Sequence, residues 1–218
     1  MKQHLSFLAA AAMGVASFTA TADAGQFFLD GSVGRSSYDP PSSAGTYNDK
    51  TDWAAAIRGG YMWHQSVDYG IEFGYGDLGQ AANRYVYRHN IGSDYVRYSA
   101  AARGWLFGGR LEYVMGQSWY MMARGGWFRP RITQDYADWI LTRGGPLQSF
   151  PASGYSHGRD SFNTGTHAYY GLGVGYCISR HWRVGLNYDN YNVGPLALGN
   201  HEASTHVNSY SASVQYRF

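Results

Sequence analysis

Arg58, Glu72, Arg110, Glu112, Arg124, Arg183 and Asp189 lie in runs where every second residue is apolar or aromatic, and all seven fall on the other parity. Carboxylates and guanidiniums gathered on one face admit two kinds of chemistry. They can pair into a salt-bridged plug, in which each buried polar group needs a partner, or they can line a gated pore for small ions. The expected pairs are Arg58 with Glu72, Glu112 between Arg110 and Arg124, and Asp189 with nearby arginines. Catalytic chemistry has thinner support. His64-Gln65-Ser66 sets an imidazole and a hydroxyl one residue apart, the types used in nucleophilic acyl transfer. It occupies a short turn, however, and a polar surface turn accounts for it. His201, Ser204, His206 and Ser209, with Glu202 as the nearby carboxylate, sit in a polar stretch that explains them equally well. Arg84, Arg88, Arg129, Arg131, Arg143 and Arg159 are scattered through polar segments. Their planar forks suit phosphate oxygens, and solvated loop charge is the alternative reading. Eight histidines give no pair with ligand spacing on a shared strand face. No catalytic residue, metal site or cofactor is expected.

The element that positions Arg58 and Glu72 is the stretch WAAAIRGGYMW-HQS-VDYGIEFGY, residues 53–75. Period-two alternation over both halves predicts a β-hairpin. Folded about Gln65, it sets Trp63 against Val67, Tyr61 against Tyr69, Ile57 against Phe73, and Arg58 against Glu72. From Trp53 to Trp63 the strand rises roughly 33 Å. A tilt of about 40° reduces that to roughly 25 Å, the height of the apolar band of an outer-membrane barrel.

The same alternation predicts strands at about 26–35, 53–63, 67–75, within 95–115, then 119–129, 166–176, 182–191, and a last one ending the chain. The strand within 95–115 is the least defined, with a possible phase shift near Gly108-Gly109. Short turns fall at 64–66, 116–118 and near Ser179. Polar loops are expected at 36–52, about 79–94, 130–165 and 192–206. Eight strands joined alternately by short and long connections match the periplasmic turns and external loops of transmembrane barrels. An eight-stranded interior is just wide enough for its own side chains, which favours the plug over the pore. A soluble lipocalin-like barrel would invert the faces, placing the aromatics inside. The tryptophans at strand ends argue against that: Trp63, Trp119 and Trp182 beside the short turns, and Trp53 and Trp127 at the far ends, read as interfacial girdles.

Composition agrees. Tyrosine (20 residues) and glycine (29 residues) far exceed ordinary globular usage. The mean hydropathy of −0.39 would suit a soluble chain, but alternation averages out in such an index. Residues 1–24 read as a secretory signal peptide: Lys2, an apolar stretch, then Ala22-Asp23-Ala24. Residues 25–218 form one domain, with no apolar run long enough for a membrane helix. Cys177 is the single cysteine and can form no internal disulfide. A net charge of +2 carries no nucleic-acid signal.

The segments RGGYMWHQSVDYGIEFGYGDL, GQSWYMMARGGWF, YYGLGVGYCISRHWRVGLNYDNY and terminal YSASVQYRF together resemble small outer-membrane β-barrels of the OmpA-like transmembrane-domain class, with its opacity, OmpX/Ail and OmpW types. The resemblance implies an all-β, up-and-down, eight-stranded antiparallel barrel in a Gram-negative outer membrane. It implies that Val214, Tyr216 and Phe218 form the C-terminal signal read by the barrel-assembly machinery. Lipid A deacylases and palmitoyl transferases share this architecture, and the deacylases use a His-x-Ser pair at the outer-leaflet side, whereas His64 and Ser66 fall at the expected periplasmic end. The expected function is a non-enzymatic structural or surface-interaction role. External loops would meet lipopolysaccharide, outer-membrane lipids or a host or cell-surface ligand. A narrow channel, or a lipid A-modifying enzyme, is the alternative.

Overall fold

The computed structural model describes residues 25–39, 49–89, 92–142, 158–163, 165–197 and 202–218. The expected leader, Arg143 and His201 lie outside them. Among the described residues there are nine strands: β1 (Gln26–Asp39), β2 (Thr51–Trp63), β3 (Asp68–His89), β4 (Gly92–Met115), β5 (Trp119–Thr142), β6 (Gly158–Asn163), β7 (His167–Cys177), β8 (Trp182–Ala197) and β9 (Glu202–Arg217). All neighbouring pairs are antiparallel. β1 pairs with both β2 and β9, and β5 with both β4 and β7. The barrel therefore closes with eight strands, leaving no edge around its wall, as a membrane-spanning sheet requires. β6 is additional: it pairs with Arg131–Tyr136 of β5 beyond the stretch that β7 covers.

Alternation sorts the side chains as expected. Trp53, Phe73, Phe107, Leu111, Met121, Leu172, Leu186 and Val214 are exposed, while Arg58, Glu72, Arg110, Glu112, Arg124 and Asp189 are buried. From Ala100 to Tyr113 β4 keeps one phase, with Leu106, Gly108, Arg110 and Glu112 inward and Trp105, Phe107, Gly109 and Leu111 outward. The suspected phase shift near Gly108-Gly109 is absent.

The hairpin register differs from expectation. Trp63 faces Tyr69, Ile57 faces Tyr75, and Arg58 faces Gly74. The pair Trp63–Tyr69 encloses five residues, 64–68, where the expected pair enclosed three, which slides the pairing by two. An even slip leaves every side chain on its face, so Arg58 and Glu72 remain inward and meet diagonally.

Most strands run further than expected, β1 among them, which continues to Asp39 into the expected 36–52 loop. Residues 79–94 are not mainly a loop: β3 continues to His89, and β4 starts at Gly92. Where the loop was expected to start, the ladder carries a bulge. The register shifts between Asp77 and Gln80, Gly79 takes φ of 69°, and its N–H donates to Asp77 Oδ1 at 3.0 Å. Likewise residues 130–142 extend β5. Pro130 stands at the junction where pairing with β7 ends at Phe128 and pairing with β6 starts at Arg131, a place where a missing N–H is tolerated. β8 runs past its expected end to Ala197 through a second bulge at Asn192–Gly194, where the Gly194 N–H donates to Asn192 Oδ1 at 2.9 Å. β9 accordingly starts at Glu202.

Candidate functional site

The lumen holds two tiers. The tier toward the short turns is ionic. Asp30, Asp68, Glu72, Glu112 and Asp189 oppose Arg58, Arg110, Arg124, Arg183 and Arg217, all ten buried, so the described interior carries as many acids as arginines. Glu112 is one hub: its Oε1 lies 2.7 Å from Arg110 Nε and its Oε2 lies 2.6 Å from Arg183 Nη1. Arg217 also donates to Glu112 Oε2, and bonds Asp68 Oδ2 at 3.0 Å. Arg58 is the other hub, between Asp30 at 3.7 Å, Glu72 at 4.0 Å and Asp189 at 3.7 Å. Tyrosines complete it: Tyr169 donates to Glu72 Oε1 at 2.7 Å, and Arg58 Nη2 donates to the Tyr191 hydroxyl at 2.6 Å.

One expected pairing is wrong. Arg124 does not share Glu112 with Arg110. Arg110 and Arg124 are direct cross-strand partners, and like charges turn apart. Arg110 turns to Glu112. Arg124 reaches across Gly171 on β7 to Asp189 on β8 and grips it with Nε at 2.7 Å and Nη2 at 2.6 Å. The bidentate geometry is the strong form of this contact. Gly171 makes it possible, since a Cβ there would fall on the Asp189 carboxylate. The remaining expected members, Arg183 and Asp189, are in the network. Asp30, Asp68 and Arg217 were missed. Each lies on the inward parity of its strand, so the signal was present in the alternation.

The tier toward the long connections is apolar: Tyr38, Leu78, Ala102, Leu106, Phe128, Ile132, Val193 and Val207 cluster with Tyr169 and Tyr191. Phe128 packs against Tyr191 with ring centroids 5.3 Å apart, and Tyr169 stacks on Tyr191 at 5.7 Å. The Tyr38 hydroxyl donates to the Gly79 carbonyl at 2.8 Å. Between the tiers is a water-sized cleft of about 10 Å³, lined in part by Ser32, Asp189, Tyr191 and Ser211.

Outside, the expected girdle tryptophans Trp53, Trp63, Trp119, Trp127 and Trp182 are all exposed, as is Trp105, which the uncertain strand reading missed. Trp63 stacks on Tyr69 at 5.5 Å, and Trp119 meets Tyr176 edge-on at 5.4 Å. Val214, Tyr216 and Phe218 share the outward parity of the C-terminal segment, with Tyr216 edge-on to Trp182 at 4.9 Å and to Phe218 at 5.0 Å. His64 bonds Asp68 Oδ1 at 3.0 Å, while Ser66 is exposed on the turn and has no described hydrogen bond to His64. His206 bonds Asn190, and Ser204 bonds Asn192. Arg129 and Arg131 are exposed on β5.

Residues 5–218 match the family described as the outer membrane protein beta-barrel domain. No curated protein matches the chain. Among solved structures, similarity extends to Ail, the attachment invasion locus protein of Yersinia pestis, in complex with sucrose octasulfate, at 10% identity over 89% of this chain and 99% of that one, with a TM-score of 0.47. The outer membrane protease OmpT of Escherichia coli is 10% identical over 92% and 99%, with a TM-score of 0.48. The outer membrane protein OprG of Pseudomonas aeruginosa is 11% identical over 90% and 97%, with a TM-score of 0.46.

Proposed function

The chain belongs to the outer membrane protein β-barrel family, and from that premise we propose a non-enzymatic barrel with a closed lumen, which acts at the cell surface through strands and connections raised above the membrane. Residues 1–24 are then the export leader, removed after translocation, and the Val214–Tyr216–Phe218 face is what the assembly machinery reads. The observation that carries the closed lumen is the stacking of two unlike barriers in series. Ions that could exchange partners within the ionic tier still meet the apolar tier around Phe128 and Tyr191, where no polar wall replaces their hydration. The surface role draws support from strand length. β4 and β5 each have 24 residues, where a tilted crossing needs roughly 9–11, and most of the excess rises beyond Trp105 and Trp127.

Two measurements on the folded protein test this. In planar bilayers it should give no discrete conductance steps, and its expression should leave the lipid A mass distribution unchanged. Steps that respond to Glu72→Ala would replace the closed-lumen reading with a gated channel. A lipid A mass shift abolished by Ser66→Ala or His206→Ala would establish an enzyme.

A further inference from the structure

The outward wall carries a second charged group that the lumen network does not use. Arg103 on β4 and Arg129 and Arg131 on β5 are exposed. The register sets Arg103 directly opposite Arg131, and Arg129 opposite Trp105. Directly opposed Cβ atoms on one sheet face lie about 5 Å apart, and like charges at that spacing destabilise the pair unless an anion relieves them. Arg103 faces Asp77 on its other side, but Asp77 Oδ1 is engaged by the Gly79 N–H. None of the three arginines forms an ion pair among the described residues. Three arginines with the one carboxylate of Asp77 beside them leave the group net positive, and Arg is the fork that binds phosphate by two parallel hydrogen bonds.

Its depth is fixed by the tryptophans. Phe107 stacks on Trp127 at 6.4 Å within the exposed apolar band. Arg129 and Arg131 follow Trp127 on the same face, roughly 7 Å and 13 Å further along the strand. Exposed indoles mark the headgroup boundary of a bilayer, so the guanidiniums stand at the level of lipid phosphates and face sideways toward the neighbouring lipid rather than up into solution.

We propose that Arg103, Arg129 and Arg131 form a lateral binding site for the phosphate of an outer-leaflet glycolipid, held against the barrel wall above Trp105 and Trp127. This rests on the membrane placement proposed above and assigns one lipid class to it. Arg103 and Arg131 grip one phosphate from adjacent strands, which removes their mutual repulsion, and Arg129 adds a contact nearer the acyl boundary.

The test is lipid retention by the full chain folded in detergent, read by native mass spectrometry. Titrants are diphosphoryl lipid A, its dephosphorylated form and inorganic phosphate. Wild type should retain diphosphoryl lipid A in preference to both others. Arg103→Gln with Arg131→Gln should weaken retention at least about tenfold, since hydrogen bonds to charged groups are being removed. Arg103→Lys with Arg131→Lys should lose part of it, because charge remains and the forks do not. Arg35→Gln, at the Arg35 that lies over Trp53 at 5.7 Å on another part of the rim, should bind as wild type. Equal retention of dephosphorylated lipid, equal retention by the double Gln variant, or phosphate binding as tight as lipid binding would each overturn the site. Heat-dependent electrophoretic mobility is recorded for every sample. Its loss in wild type would remove the membrane placement itself, a failure distinct from loss of lipid preference in a protein that still shows the heat shift.

Discussion

Glu112 receives Arg110, Arg183 and Arg217; its removal strands Arg183, which has no other acid among the described residues, and leaves Arg217 with Asp68 and Arg110 with the longer contacts to Asp30 and Glu72. Breaking a buried pair by deleting one partner costs about 3–5 kcal/mol, because a charge is left uncompensated. Glu112→Gln should therefore lower the unfolding free energy in detergent or vesicles by at least that much. Glu72→Gln should lower it less: Arg58 retains Asp30 and Asp189, and Arg110 retains Asp30 and Glu112. Equal effects, or none, measured by urea titration of the heat-modifiable form, would contradict the hub geometry. Gly171→Ala tests the Arg124–Asp189 bridge from the side of space rather than charge. A methyl there displaces the Asp189 carboxylate, and overpacking of this kind costs about 1–3 kcal/mol. Parity was legible for every one of these residues, since it needs only a two-residue period. Partner choice was not. Arg110 and Arg124 look equivalent on paper, and only their direct opposition across β4 and β5, with Gly171 opening a path for one of them, separates their acids.

Strands were legible where one face meets lipid and became obscure above it. In 53–63 and 119–127 the tryptophans at both ends share one parity and the arginine between them, Arg58 or Arg124, takes the other. Past Asp77 a bulge interrupts the two-residue period, and its glycine and aspartate resemble a loop. The ladder continues there because β3 and β4 pair with each other, rung by rung, up to His89 and Gly92. This makes the upper hairpin separable. Ala82 and Ser99 are cross-strand partners, so residues 83–98 can be replaced by Asn-Gly, whose type I′ turn matches strand twist. The shortened chain should still assemble and show the heat-dependent mobility shift, because Ala81 and Ala100 of the apolar tier remain. Failure to assemble would mean that the upper hairpin belongs to the folding unit of the barrel. Cell-surface binding, by contrast, should be the property it loses.

At the scale of the whole molecule, the two tiers and the outward band depend on one another. An inward ionic tier is tolerable only if its charges are balanced, and the five acids and five arginines described are. An outward band of Trp53, Phe73, Leu172 and Leu186 is tolerable only if lipid covers it; Leu186 alone is 66% exposed, which in water would mark an aggregation surface. The same sequence cannot satisfy both conditions in buffer. The purified chain should therefore fold only with detergent or lipid, run as a compact species that shifts on boiling, and give β-rich circular dichroism in both detergent and vesicles. Phe128→Ala in that folded form should remain non-conducting, because the ionic tier below still fills the lumen; conductance appearing on that single change would mean that the apolar tier alone holds the barrel shut. A chain that instead folds and stays soluble without amphiphile would require the aromatics to be inside and the ten charges outside, with a ligand cavity in place of the plug.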